Sequence, residues 1–151
     1  MRSRGNVNNQ EIREKRRARK LALQALYQWH MSGTAPSEVE AQFCAINNMA
    51  KVDRAYFSCL LHGIPAEMSA LQAAFVPFLD RTLESLDPIE LTILRLSTFE
   101  LMHRLEIPYR VVLDESVALA KTFGAQDGYR YVNGVLHQLA QKLRATEIKN
   151  G

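Results

Sequence analysis

The sequence predicts an all-α fold, a bundle of about seven helices in two packed subdomains. Three observations carry that expectation. Apolar residues recur at steps of three and four along most of the 151 residues, the spacing of a buried helix face. No segment sustains the apolar–polar alternation of a half-buried strand, and Asn133-Gly134 lies inside a helical stripe rather than between strand-like runs. The periodic segments are separated by proline, glycine and capping residues, which start and stop helices.

Residues 1–10 are polar and rich in Asn, Gly and Gln, so an unstructured arm is expected through residue 11. The first helix follows. Ala18, Leu21, Ala22, Ala25 and Trp29 share one face, and Arg13, Arg17, Lys20, Gln24 and Tyr27 share another. Gly33 is a natural end for it. Pro36, Ser37 and Glu40 suggest a capped second helix with Val39, Phe43 and Ile46 inward, closed by Asn47 and Asn48. Asp53 is placed to cap a third. Its stripe runs from Tyr56 to Phe78, and Gly63 and Pro65 should kink it or split it in two. Asp87-Pro88-Ile89-Glu90 reads as cap, first-turn proline and capping-box glutamate. The segment from Ile89 to Leu105 is apolar nearly all round, which marks it as the central core helix. Pro108 restarts the chain for a helix ended by Gly124. Asp127 then suits the N-cap of a last helix with Val132, Val135, Leu136, Leu139 and Leu143 inward. The polar tail after Arg144 is expected to fray.

The length is that of one domain, long enough to bury roughly 70% of the surface of the unfolded chain. The net charge of +3 conceals an asymmetry. Residues 1–20 hold eight Lys or Arg against Glu11 and Glu14, a net of +6, so the remainder carries −3. A local basic arm is the usual footprint of nucleic acid or an anionic surface. Gln24, Gln28 and His30 interrupt the apolar run that a signal peptide needs, and nothing reaches the ~20 apolar residues of a membrane span. Cys44 and Cys59 lack metal-type spacing. A cytoplasmic protein with reduced thiols is expected.

Catalytic chemistry finds no support. His30, His62, His103 and His137 stand at no ligand spacing, and no phosphate-binding loop or nucleophile elbow is present. Asp114 and Glu115 are adjacent on a helix and diverge by about 100°. No enzyme activity, cofactor or metal is therefore assigned. Two clusters have the residue types of a nucleic-acid surface. One is the arm with Lys20, Gln24 and Tyr27. The other is Gly124 to Tyr131, where a helix N-terminus, Arg130 and the rings of Tyr129 and Tyr131 suit phosphates and unstacked bases. Each has a structural alternative: Asp127 as a plain cap, and Tyr131 as a half-buried core ring.

Three stretches resemble motifs of the NusB family of bacterial transcription antitermination factors. They are Arg16-Arg17-Ala18-Arg19-Lys20-Leu21-Ala22-Leu23-Gln24-Ala25-Leu26-Tyr27, Ile107-Pro108-Tyr109-Arg110-Val111-Val112-Leu113-Asp114-Glu115, and Phe123-Gly124 followed by Tyr131-Val132-Asn133-Gly134-Val135-Leu136. The resemblance implies helical subdomains near residues 12–79 and 80–146. It also implies binding of boxA-type single-stranded RNA with NusE, a small-subunit ribosomal protein, within an RNA polymerase antitermination complex that reads through terminators, notably in ribosomal RNA operons. Arg16, Arg17 and Arg19 match the family's basic arm, and Arg13, Lys20, Gln24 and Arg130 extend the RNA set by charge and position. Asp127 and Tyr131 match its RNA surface. Tyr27 and Glu90 match positions that meet NusE, with a packed ring and a capping glutamate as their alternatives. Asp114, Gly128 and His137 stand where Asn, Ser and Asp are common in the family.

Two other functions fit the same residues. One is a protein-interaction scaffold whose basic arm is incidental. The other is the NusB-like module of an rRNA methyltransferase, disfavoured because no cofactor-binding domain is present. Either a monomer or a homodimer is compatible with the resemblance.

Overall fold

The computed structural model describes residues 4–150, which form eight α-helices and two short 3-10 turns, with no strand among them. The chain divides into two compact units between Pro65 and Ala66.

The first unit holds α1 (Arg4–Ser32), α2 (Pro36–Ile46) and nearly all of α3 (Arg54–Ala66). The arm expected to be unstructured through residue 11 is helical from Arg4, and residues 1–3 lie outside the described residues. Helix already nucleated downstream extends at little cost per residue, and the Gln10 amide donates to Glu14 one turn on. Ala18, Ala22, Leu23, Ala25 and Leu26 are buried, whereas Leu21 and Trp29 are half-buried. The core face is thus turned from the expected stripe toward Leu23 and Leu26. Gly33 closes α1 at φ +73°, donating to Trp29 O. Only glycine takes that conformation without strain.

Helix α2 packs on α1. It starts one residue before the expected cap. Pro36 occupies its first turn and Ala35 its N-cap, without a side-chain bond. Ser37 is therefore inside the helix, and Glu40 pairs with His62 at 2.7 Å instead of closing a capping box. Asn47 ends α2 as expected, and Asp53 caps α3 by accepting from Tyr56 N–H at 3.0 Å. The Phe43 and Phe57 rings meet at 6.4 Å and join α2 to α3.

Pro65 and Glu67 split the long third stripe, and α4 (Met68–Phe75) follows. The sequence placed the subdomain boundary near residue 79. In the structure α4 packs on α5 (Pro88–His103), and the 3-10 turn Val76–Phe78 reaches α7 (Gly128–Leu143), so both belong to the second unit. Asp87 caps α5 by accepting from Ile89 and Glu90 N–H. Every residue from Glu90 to Leu101 is buried, as its all-round apolar pattern predicts. Helices α6 (Tyr109–Phe123) and α7 pack on α5 and on each other. At the α5–α6 crossing the small Ser97 and Ser116 touch through their hydroxyls.

The tail forms a short α8 (Ala145–Asn150) rather than fraying. Buried Arg144 anchors it. Its guanidinium donates to the carbonyls of Glu100, Leu101, Arg104 and Ile107 and pairs with Glu147. Helix α5 ends with unpaired carbonyls that need donors, and one side chain supplies them.

Candidate nucleic-acid interface

In the first unit the outward row of α1 is preserved. Arg13, Arg16, Arg17, Lys20 and Gln24 are exposed, and Tyr27 is half-buried on the same line. Arg17 is steadied by donating to Lys51 O at 3.1 Å, which holds its guanidinium along the helix surface. The Gln24 amide donates to Lys20 O on its own helix.

Arg19 departs from the expected set. It is 3% exposed, with its guanidinium 5.8 Å from the centre of the buried Tyr56 ring. Lys15 lies over the same ring at 4.4 Å. Position 19 is two steps from Arg17, about 200° round the helix, so it points inward where Arg17 points outward. Its guanidinium faces an aromatic ring inside the unit, where a cation is favoured.

In the second unit the turn between α6 and α7 builds the other cluster. Asp127 sits just before α7 at φ 65° and ψ 1°, and its side chain makes no capping bond. The N-cap role expected for it is not realised, because capping needs an extended backbone at that position. Asp127 is instead the one non-glycine residue at positive φ among the described residues. Its carboxylate is exposed, 3.6 Å from Arg130.

Tyr129 and Tyr131 are two positions apart, so their side chains diverge by about 200°. Tyr129 has Lys121 4.7 Å from its ring centre. Tyr131 is half-buried, its hydroxyl accepts from Asp80 N–H at 3.3 Å, and Arg81 lies 4.0 Å over its ring. Arg130 also lies over the Tyr129 ring, at 5.5 Å, so the region presents two separate rings, each met by cations, and not one stacking platform.

Glu90 is 6% exposed. Its carboxylate does not return to the N-cap as a capping-box residue would. It accepts from the backbone of Ala125 and lies against Gly128, with Oε2 unpartnered. Burial pushes its carboxyl above the ordinary range, and nearby Asp87 adds to the rise. Among the described residues no cluster of three or more His, Cys, Asp or Glu suits a metal ion. No helix among them is long and apolar enough to cross a membrane.

Lys121, Arg81 and Lys15 escaped sequence reasoning. Arg81 and Lys121 are lone cations outside any motif, Lys15 is one charge within the basic run, and only tertiary packing sets each on a ring.

Comparison with known proteins identifies the scaffold. The NusB family pattern matches residues 16–141, from the arm through most of α7. The chain belongs to the NusB family. The transcription antitermination protein NusB of Legionella pneumophila (strain Corby) is 61% identical over 142 residues, covering 94% of this chain and 97% of that one. Its counterpart in Pseudomonas savastanoi pv. phaseolicola is 53% identical over 136 residues, covering 90% and 82%. The solved structure of T. maritima NusB superposes with a TM-score of 0.71 at 26% identity, over 83% of this chain and 89% of that one. NusB relatives are transcription factors, and the chain is not an enzyme. The family match contains Arg16, Arg17, Lys20, Tyr27, Glu90, Asp127 and Tyr131, and leaves Arg13 outside.

Proposed function

We propose that this chain is a transcription antitermination factor that binds boxA-type single-stranded RNA together with the ribosomal protein NusE. It acts within an antitermination complex on RNA polymerase, notably in ribosomal RNA operons, in the cytoplasm. The observation that carries the reading is the outward row of α1, where Arg13, Arg16, Arg17 and Lys20 stay exposed while the opposite face is buried. An unbroken cationic line on a rigid helix suits a flexible phosphate backbone. At the start of α7, Arg130 and the Tyr131 ring supply charge and a π-face for unstacked bases. Tyr27, on the outward row but half-withdrawn, suits a protein partner better than a phosphate. Membership of a family whose relatives are named antitermination proteins supports the general role.

The test is an RNA titration with and without NusE, comparing a boxA strand with a scrambled strand of equal length. Preference for boxA, strengthened by NusE, is expected. Equal binding of both strands, or NusE binding that RNA leaves unchanged, would favour a scaffold with an incidental arm.

A further inference from the structure

We propose that Arg81 is an RNA-binding residue, closing on the outer face of a base that stacks on Tyr131. The inference rests on the RNA reading and adds to it a side chain that no motif assigns. Arg81 lies between the two 3-10 turns, Val76–Phe78 and Leu83–Ser85. This short segment is tied to α7 by the bond from Asp80 N–H to the Tyr131 hydroxyl. The tie holds the edge of the ring and leaves its face to the Arg81 guanidinium, 4.0 Å from the centre.

That cover is lightly held. The Arg81 side chain is 47% exposed, and its bond to Asp80 at 2.8 Å joins it to a carboxylate that is 70% exposed. Exposed ion pairs and exposed cation–π contacts are both weak. A base has two π-faces, and a guanidinium is planar, so it stacks on a base as readily as on tyrosine. If Arg81 lifts by the thickness of one base, the order becomes ring, base, guanidinium. Its five N–H donors then lie beside the neighbouring phosphate. The cation that covers the ring in the free protein thereby becomes a contact in the complex. Asp80 competes for the same guanidinium, which restrains Arg81 until a phosphate outbids it.

The experiment uses the full chain and a single-stranded boxA-type RNA carrying 2-aminopurine, whose fluorescence falls on stacking, titrated over a range of salt. Arg81→Ala is expected to weaken binding roughly tenfold and to flatten the log–log salt slope by about 0.7, one phosphate on a single strand. It should also diminish the quenching. Arg81→Lys should keep the slope, because the charge remains, and lose part of the quenching, because the plane does not. Asp80→Asn should tighten binding in the parent and do much less in the Arg81→Ala background. A thermal melt of each variant separates loss of contact from loss of fold. If the parent binds RNA and Arg81→Ala binds with the same affinity, slope and quenching, the Arg81 assignment falls and the RNA reading stands. Tighter binding by Arg81→Ala would make the residue a cover and overturn the contact. If the parent binds no RNA, both readings fall.

Discussion

The split between Arg19 and its neighbours makes a quantitative prediction. Arg13, Arg16, Arg17 and Lys20 are exposed on α1, and Arg19 is buried against Tyr56. Four phosphate contacts from α1 on a single strand contribute about −2.8 to the log–log salt slope, by themselves a loss of roughly fiftyfold between about 50 and 200 mM salt. Arg16→Ala with Arg17→Ala leaves two of them. The slope should flatten by about 1.4, with little change in stability because both side chains are exposed. Arg19→Ala should do the reverse. The slope should stay at its parent value, while the unit loses roughly 1–3 kcal/mol from the vacated ring face and the packed stem. Fluorescence anisotropy at several salt concentrations reads the slope, and urea melts read the stability. If Arg19→Ala flattens the slope as the double variant does, the burial argument is wrong. If the double variant leaves the slope unchanged, the arm is not the phosphate-binding element.

Three further outcomes follow from the second unit. Arg144→Met removes the donors to four carbonyls around the end of α5 and leaves Glu147 with the Tyr109 N–H. It should cost roughly 3–5 kcal/mol and about 10 °C in melting temperature; a loss within the scatter of surface substitutions would show that water replaces the guanidinium. At Asp127, held at φ 65°, Asp127→Gly should be neutral or stabilising by up to about 1 kcal/mol, and Asp127→Ala should destabilise; the opposite ranking in urea melts would mean that the turn relaxes to a negative φ. The Glu90 carboxyl is raised by burial and by Asp87, so its contribution to stability is full below the ordinary glutamate range and is lost as pH rises through the folded value. Glu90→Gln should flatten that part of the stability–pH curve, and an unaltered curve would show that Glu90 titrates normally.

The legible parts of the fold were those set by local chemistry. Asp53, Asp87, Pro88 and Gly33 act on their own backbone within one turn, so their residue types alone announce them. The continuous apolar run of α5 likewise needs no partner to declare burial. The misread residues depend on what the chain brings back from far away. Arg144 finds carbonyls some forty positions earlier, and this turns an expected frayed tail into α8. Glu40 finds His62 on α3 and forgoes its cap. Arg19 reads as one more charge in a basic run until Tyr56 arrives beneath it. In the candidate site, the exposed cations were legible by period. The pairing of Arg81 with Tyr131 was not, because a loop position carries no period.

Glu90 and Gly128 show why a family motif and a chain's own packing must be read together. The resemblance makes Glu90 a partner-facing residue and leads one to expect serine at 128. In this chain a Cβ at 128 would overlap the Glu90 carboxylate. Glycine therefore lets Glu90 fold inward, accept from Ala125 and lie against the first turn of α7, whose N-terminal dipole favours a negative charge. A larger residue at 128 would force the carboxylate to move, and the obstacle is the mobile end of a side chain rather than backbone. The placement of the Glu90 carboxylate thus depends on position 128 and on the α6–α7 turn, which is held at its end by Asp127 in a conformation few residues tolerate. The same four-residue turn, Gly124 to Asp127, that leads into Arg130 and Tyr131 also packs against the Glu90 carboxylate. Under the proposed function, RNA contact and protein contact in the second unit would share one backbone segment.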